Sequence, residues 1–560
     1  MLKKEDLVIV SQNSTILEVL ESMNSAGMQI AILTDENERL AGIVTDGDIR
    51  RGFISGSSNR DLISSIMNKN PEIALDTDET EFVSNKLNHK FQHIPILNKE
   101  KKIMGLFSNE EKNVYSDLQG NKVCVLGLGH VGLTLSLVMA EMDFNVFGFD
   151  VNDQTIEKVK NKESSFHEKD LQMFLNRYVG ERLIPTTNLK EVDADIYIIT
   201  VGTPINEETK LPRIDYIEKA ASDIGSKLKK NDIVILRSTV PVGTTRNVVR
   251  PILDKQSGLK CGSDYFLAYA PERTIEGDAI SEIKELPQII GGYDTKSRFI
   301  AEQIFKRLTG VIIDVGSLES AEMVKIMNNT FRDVKFGYAN EMALLCKDLG
   351  LDMTQLVNYA NLGYKRDKIP VPSPGVGGAC LSKDSYILSY SARDSKYKTN
   401  IVSIARETNE SIPKDIVREI KSELESVGKK IGDSKIFIIG FAFKGDPETS
   451  DIRGSTTLDL LEEFSDQGAD MQNIFGADPI VAEKNIDALG IKVSDYNAGF
   501  KEADAVVLMN NHKSYKTLDI FSLLESSSEE CIFFDGWHMF DPSDINSINK
   551  VTYLGVGCKF

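Results

Sequence analysis

Lys122-Val123-Cys124-Val125-Leu126 runs directly into Gly127-Leu128-Gly129-His130-Val131-Gly132 and then into an apolar stretch from Leu133 to Ala140. An apolar strand that turns on glycines at 127, 129 and 132 into a helix is the context of a βαβ dinucleotide unit. Its glycines admit a pyrophosphate to the helix N-terminus, where unpaired N–H groups and the helix dipole favour negative charge. A second strand, Asn145 to Phe149, ends in Asp150, an acid 21 residues beyond Gly129. A carboxylate there accepts from ribose hydroxyls and repels a 2′-phosphate, so the pattern points to NAD rather than NADP.

The same α/β rhythm continues. Ala194 to Pro204 and Asp232 to Thr244 read as strands that end in small, hydroxyl and proline residues, among them Thr203 and Thr239. Those ends lie at the carboxyl edge of a parallel sheet, where ligands bind in such folds. Ala321 opens a helical stretch reaching about Gly350, with Lys325 and Asn329 four apart on one face. An ammonium beside an amide can steady an oxyanion, or the pair can be a snorkelling lysine with a polar neighbour. From Ser434 a second α/β segment begins, with a strand and turn in Lys435–Asp446 and later strands at Ala505–Met509 and Cys531–Gly536. It lacks both a three-glycine fingerprint and a P-loop.

A Pro/Gly-rich loop, Ile369 to Gly378, ends in Ala379-Cys380-Leu381-Ser382-Lys383-Asp384. This composition lets backbone approach a ligand closely and leaves the Cys380 sulfur at a helix N-terminus, where a thiolate is favoured. Asp384 then shares a helical face with Cys380. Glu272 and Glu276 stand four apart in Ala270-Pro271-Glu272-Arg273-Thr274-Ile275-Glu276-Gly277.

At 560 residues the chain has room for three or four domains, and 41% hydrophobic with 27% charged residues describes an ordinary soluble protein. A formal charge of −19 excludes nucleic acid as the main partner and requires local Lys and Arg to hold any anionic substrate. Six cysteines without CxxC spacing and six histidines without a metal motif predict a reducing compartment and no metal site. No signal peptide or membrane span is read in the sequence, and the expected location is the cytoplasm.

The N-terminal residues repeat weakly. Ser14–Leu20, Gln29–Leu33 and Leu40–Ile49 are answered by Glu79–Val83, His93–Leu97 and Ile103–Glu111. The pattern resembles a pair of cystathionine-β-synthase (CBS) domains over residues 1–117. That resemblance implies an adenine-nucleotide site using Thr45 and Asp48, with Ser108 as the counterpart in the second repeat, where Glu111 replaces the usual Asp. The alternative is an oligomerisation module alone.

Val201–Pro204, Ser238–Thr244, Pro271–Arg273 and the Gly375–Asp384 loop together resemble the UDP-glucose/GDP-mannose dehydrogenase family, from about Lys122 to the C-terminus. The resemblance implies two Rossmann-like doubly wound domains, at 118–316 and 416–560, joined by a central helical dimerisation domain at 317–415. It implies an NAD-dependent, four-electron oxidation of a UDP-sugar at C6 by a homodimer or higher homo-oligomer. Cys380 would be the nucleophile, Lys325 and Asn329 the oxyanion partners, Asp384 and Thr239 the water or proton shuttle, and Glu272 the base, assisted by Glu276. NAD would meet Gly127, Gly129, His130, Val131, Gly132, Asp150, Thr203 and Thr239. The sugar nucleotide would meet Glu272, Arg273, Glu276, Lys325, Asn329, Gly377, Phe443, Lys444 and Arg366, the last reaching a neighbouring subunit. Asp451 and Arg453 belong to the segment that follows. Arg273 resembles the branch acting on UDP-N-acetyl-mannosamine or UDP-N-acetyl-glucosamine. UDP-glucose is the alternative substrate, and a nucleotide-sensing protein on an inactive scaffold is the alternative class.

Overall fold

The computed structural model describes residues 2–4, 7–26, 28, 30–78, 83, 93–108 and 122–559, in two compact units, Met1–Leu118 and Gln119–Phe560. Positions 29, 79–82 and 109–111 of the N-terminal repeat lie outside the described residues.

In the first unit, strands β1 (Leu2–Lys3), β2 (Ile9–Ser11), β3 (Ile30–Thr34), β4 (Leu40–Thr45), β5 (Ala74–Leu75), β6 (His93–Leu97) and β7 (Ile103–Ser108) form two small sheets. Each sheet carries the same motif. β2 pairs parallel with β3, which pairs antiparallel with β4, and β5, β6 and β7 repeat that arrangement. Both hairpins shift register near their tips, at Leu33/Thr34 and Ile96/Leu97. The internal repeat read in the sequence is therefore a structural one. Helices α1 (Ile16–Ala26) and α2 (Asp46–Ile54) flank the first half, and Ile16, Val19, Ala31, Leu33, Val44 and Ile49 fill its core.

In the second unit, β8 (Lys122–Leu126), β9 (Asn145–Phe149), β10 (Leu183–Thr186), β11 (Ile196–Ile199), β12 (Ile233–Leu236), β13 (Phe266–Tyr269), β14 (Gln288–Gly292) and β15 (Ile312–Ser317) make one sheet, ordered 10-9-8-11-12-13-14-15. Every strand from β10 to β13 in that order pairs parallel, and only β13 with β14 is antiparallel. The order reverses between β8 and β11. That is the switch point at which a crevice opens beyond the carboxyl ends of the strands. A second sheet repeats the topology with β16 (Ile436–Ile439), β17 (Ile474–Ala477), β18 (Lys492–Val493), β19 (Ala505–Leu508), β20 (Cys531–Asp535), β21 (Val551–Gly555) and β22 (Cys558–Lys559), ordered 18-17-16-19-20-21-22. The central strands of both sheets are wholly apolar and buried, as expected for parallel strands covered on both faces.

Between the sheets lies a 31-residue helix, Leu318–Asp348, capped by Ser317, whose side chain accepts from the Ser320 N–H. It packs on the helix Asn400–Ser426. The two backbones meet at Gly337, where a Cβ would sit 2.7 Å from the Ala405 Cβ. Among the described residues no helix is long and apolar enough to cross a membrane.

Candidate active site

Cys380 is the N-cap residue of helix α3, Leu381–Ser391, and the Asp384 N–H closes the first turn on the Cys380 carbonyl at 3.0 Å. The loop in front of it is pinned from behind. Arg406, on the Asn400–Ser426 helix, donates to the carbonyls of Val376 at 2.9 Å and Leu381 at 3.3 Å, and to Asp333 Oδ1 at 3.1 Å. Ser385 Oγ donates to the other Asp333 oxygen at 2.8 Å, and Asn409 Nδ2 donates to Oδ1, also at 2.8 Å. Further along, the Ser373 N–H meets Asn340 Oδ1, while Gly378 N–H reaches the Gly454 carbonyl in the C-terminal α/β domain. Cys380 is thus clamped by buried polar groups on both sides.

Around the thiol, charges alternate. Lys325 Nζ lies 3.5 Å from Glu272 Oε2, both side chains nearly buried. The other Glu272 oxygen accepts the Thr274 N–H. Burial opposes the ionised form of Glu272, but Lys325 and Arg237 outweigh it and hold its carboxyl below the usual range. Burial likewise works against the Lys325 ammonium, and Glu272, Cys380 and Asp384 more than restore it. Asp384 is fully buried, accepting from Asn329 Nδ2 at 2.6 Å and Lys383 Nζ at 2.7 Å. The thiol itself departs from the sequence expectation. Although it opens at the surface of the cleft, the protein packed about it raises its pKa. Lys325 and Lys383 pull it down, while Asp384 and Glu272 push it up. A helix N-terminus alone does not make a thiolate when burial opposes the charged form.

A cavity of about 560 Å³ opens onto this group, lined by Cys380, Lys325, Asn329, Arg273, Glu276, Gly377, Phe443 and Lys444, among others. Glu272 and Asp384 sit behind that wall. Arg273 donates to the Pro287 carbonyl at 2.7 Å, and Lys444 Nζ reaches the Glu276 carbonyl at 2.5 Å. Arg366 is exposed beside the Tyr364 ring and lies outside this cavity. Thr239 offers its carbonyl to Thr203 Oγ1 at 2.5 Å and lines neither this cavity nor the next.

A second cavity of about 350 Å³ lies against Gly129, His130 and Asp150 on one side and Asp451, Ile452 and Arg453 on the other. The helix His130–Glu141 starts here. Gly132 must be glycine, since a Cβ would lie 1.8 Å from the Gly127 carbonyl oxygen. Around Gly129 a Cβ would meet nothing within 4 Å, which leaves the backbone open to a pyrophosphate. Asp150 takes the Leu128 and Asn152 N–H groups at 2.8 and 2.9 Å, fixing the loop, and lines the cavity. These residues fit a dinucleotide.

Four side chains bridge the two α/β domains here. Arg453 Nη2 bonds His130 Nδ1 at 3.0 Å and Asp451 Oδ2 at 2.7 Å, and lies 3.9 Å from Glu276 Oε1. Because Arg453 only donates, His130 Nδ1 is the acceptor and the ring proton sits on Nε2, 3.9 Å from Glu276 Oε2. Burial, then Arg453, lowers His130 to about 4, and burial, then Asp451, raises Glu276 to about 7. His130, Glu276 and Asp451 are close enough to ligate a metal, but the Arg453 guanidinium already supplies the positive charge.

Three family models cover the second unit: the UDP-glucose/GDP-mannose dehydrogenase NAD binding domain over residues 121–309, its central domain over 319–411, and its UDP binding domain over 437–542. The chain belongs to the UDP-glucose/GDP-mannose dehydrogenase family. It is an NAD-dependent nucleotide-sugar dehydrogenase, and the CBS model matches residues 2–55 in front of it. The dehydrogenase is 32% identical to the UDP-N-acetyl-D-mannosamine dehydrogenase of Campylobacter jejuni over 71% of this chain and 97% of that one. It is 30% identical to the enzyme of the same name from Pyrococcus horikoshii, over 78% and 99%. The solved structure of UDP-D-ManNAc dehydrogenase from that organism superposes with a TM-score of 0.69, at 29% identity over 78% of this chain and 99% of that chain. The UDP-N-acetyl-mannosamine dehydrogenase of Staphylococcus aureus gives 0.66 at 27% identity, over 78% and 98%.

Sequence reasoning passed over three of this dehydrogenase's site-building residues. Arg406 and Asp333 were unremarked. Glu322, fully buried on the central helix, takes the N–H groups of Gly243 and Thr245 and the Thr245 hydroxyl, tying that helix to the Ser238–Thr244 loop. A carboxylate three residues before Lys325 was its only signal.

In the first unit, Thr45 and Asp48 cap α2 reciprocally. Asp48 Oδ2 takes the Thr45 N–H at 2.9 Å and hydroxyl at 2.7 Å, while its Oδ1 takes Arg51 Nη2 at 2.6 Å. Ser108 ends β7.

Proposed function

We propose that the protein oxidises C6 of a UDP-N-acetylhexosamine, UDP-N-acetyl-mannosamine or UDP-N-acetyl-glucosamine, to the uronic acid in two successive hydride losses through a thioester on Cys380. The observation that carries this reading is the gathering of Cys380, Lys325 and Asn329 along one cavity with Glu272 directly behind Lys325. The relatives named as UDP-N-acetyl-D-mannosamine dehydrogenases support the choice of sugar.

NAD, when bound, accepts one hydride in each of the two steps, a fresh NAD being needed for the second, and the C6 hydroxyl proton released with the first hydride passes to water, leaving the aldehyde. The Cys380 S–H adds across the C6 aldehyde, sulfur to carbon and proton to oxygen, giving a thiohemiacetal. Lys325 and Asn329 steady the oxygen as charge develops on it. Loss of the second hydride and of the hydroxyl proton leaves a thioester. Glu272, kept ionised by Lys325, takes a proton from the water that cleaves it, regenerating the thiol. Glu276 assists, and Asp384 acts through Asn329, whose amide it holds; Thr239, which lines neither cavity, takes no direct part.

Two further readings belong to this proposal. The central helix leaves Met327, Phe331, Tyr338 and Leu345 exposed, a face suited to a second copy, whose cleft Arg366 would enter. Thr45, Asp48 and Ser108 mark the CBS unit as an adenine-nucleotide sensor once the Asp48–Arg51 pair opens.

An NADH absorbance assay over a UDP-sugar panel, with and without AMP and ATP, should give two NADH per N-acetylated sugar. Glu272→Gln should accumulate a Cys380 adduct visible in intact mass. A Cys380→Ala enzyme that still reduces two NAD per sugar would sink the scheme.

A further inference from the structure

A buried charge is costly unless something offsets it. Arg237, which follows β12, is 3% exposed, yet among the described residues it forms no ion pair and its Nε has no hydrogen-bond partner. Its Nη1 donates to the Ala270 carbonyl at 3.0 Å and to Gln288 Oε1 at 2.9 Å, and the guanidinium lies over the Phe305 ring. Gln288 opens β14 and donates through Nε2 to the Pro271 carbonyl at 3.0 Å. Arg237 and Gln288 thereby hold the two residues that lead into Glu272.

Charge agrees with geometry. Burial pulls the guanidinium down to about 10, and Glu272 is the first of the groups that support it. In return, Arg237 follows Lys325 in keeping Glu272 ionised against its own burial. One ammonium has too much to do here. Lys325 already answers Glu272, Cys380 and Asp384, and in the proposed scheme it also steadies the oxygen on C6. Tyr269, Glu276 and Cys380 feel the Glu272 charge as well, and none of them is cationic.

We propose that Arg237 is a positioning residue for Glu272, fixing the Ala270–Pro271 segment and setting a second buried positive charge near the carboxylate, so that Lys325 is free to serve the reacting oxygen. This rests on the reading of Glu272 as the base that clears the thioester, and the test separates the two. Full-length wild type, Glu272→Gln, Arg237→Gln, Arg237→Met and Arg237→Lys are mixed with NAD and UDP-N-acetyl-mannosamine, and the Cys380 adduct is followed by intact mass against pH. Two neutral replacements are made so that the test survives the misfolding of one, and NAD titration certifies each fold. Glu272→Gln must accumulate adduct at every pH, or the reading of the base fails first. Given that, Arg237→Gln or Arg237→Met should accumulate adduct in acid and lose it as pH rises, with kcat near neutrality down about 10- to 100-fold and both KM values unchanged. The infrared carboxyl band that Glu272→Gln removes should titrate about one to two pH units higher than in wild type. Arg237→Lys, which keeps the charge, should return the band toward its wild-type midpoint. An unmoved band, an adduct indifferent to pH, or neutral replacements that both fail to bind NAD overturns the assignment.

Discussion

Replacing Arg406 by Met removes the donor that holds the Cys380 loop and strands a carboxylate. Arg406 is 2% exposed and Asp333 0%, so neither has water as an alternative partner. Breaking a buried pair from one side costs about 3–5 kcal/mol. The carbonyls of Val376 and Leu381, left without the guanidinium, add about 1 kcal/mol, for a total of about 4–6 kcal/mol. Burial already raises the Asp333 pKa, with Arg406 as the leading opposing influence. Without Arg406 the shift grows. A carboxyl whose folded pKa is raised contributes stability at low pH that is lost as pH climbs through the folded value, so the variant suffers more at pH 8 than at pH 5. Trp537, the single tryptophan, lines the cleft and reports on this region. Urea unfolding followed by its fluorescence should show the midpoint falling by about 2 M at pH 8 for a slope of about 2–3 kcal/mol/M, with a smaller drop at pH 5. Arg406→Met with Asp333→Asn should recover most of the loss. Equal drops at both pH values, or a double variant no better than the single one, would refute the reasoning.

Gly132→Ala and Gly129→Ala should both weaken NAD binding at least about tenfold but separate on stability. The first forces a Cβ to within 1.8 Å of the Gly127 carbonyl and should lower Tm, whereas the second meets open space and should leave Tm unchanged. Equal Tm changes would contradict the geometry. Glu276, raised to about 7 mainly by burial, favours its neutral form in the folded chain, so stability should fall as pH rises from its ordinary range to about 7. Glu276→Gln should flatten that part of the Tm profile, and an unaltered profile would show that another group titrates there.

Elements whose meaning is local were legible in the sequence. A strand that breaks on glycine, an acid at the next strand end, and a Pro/Gly loop ending in Cys380 each announce themselves within a short window. Lys325 and Asn329 could be set together because helical spacing alone relates them. What stayed hidden needed partners far along the chain. Arg406 and Asp333 are 73 residues apart, Gly243 and Glu322 79, and Arg453 and His130 323. A charged residue in a helical stretch reads as solvent-facing unless its partner is known, which is why Arg406 and Glu322 drew no notice. The thiol failed for the same reason in reverse. The helix N-terminus, which favours a thiolate, and Asp384 one turn on are visible locally, but the packing that buries Cys380 and does most to raise its pKa, with Glu272 beside it, is supplied only by the fold. In the proposed scheme a nucleophile protonated at rest loses its proton as it adds to carbon, and the aldehyde oxygen that Lys325 and Asn329 would steady is the group that receives it.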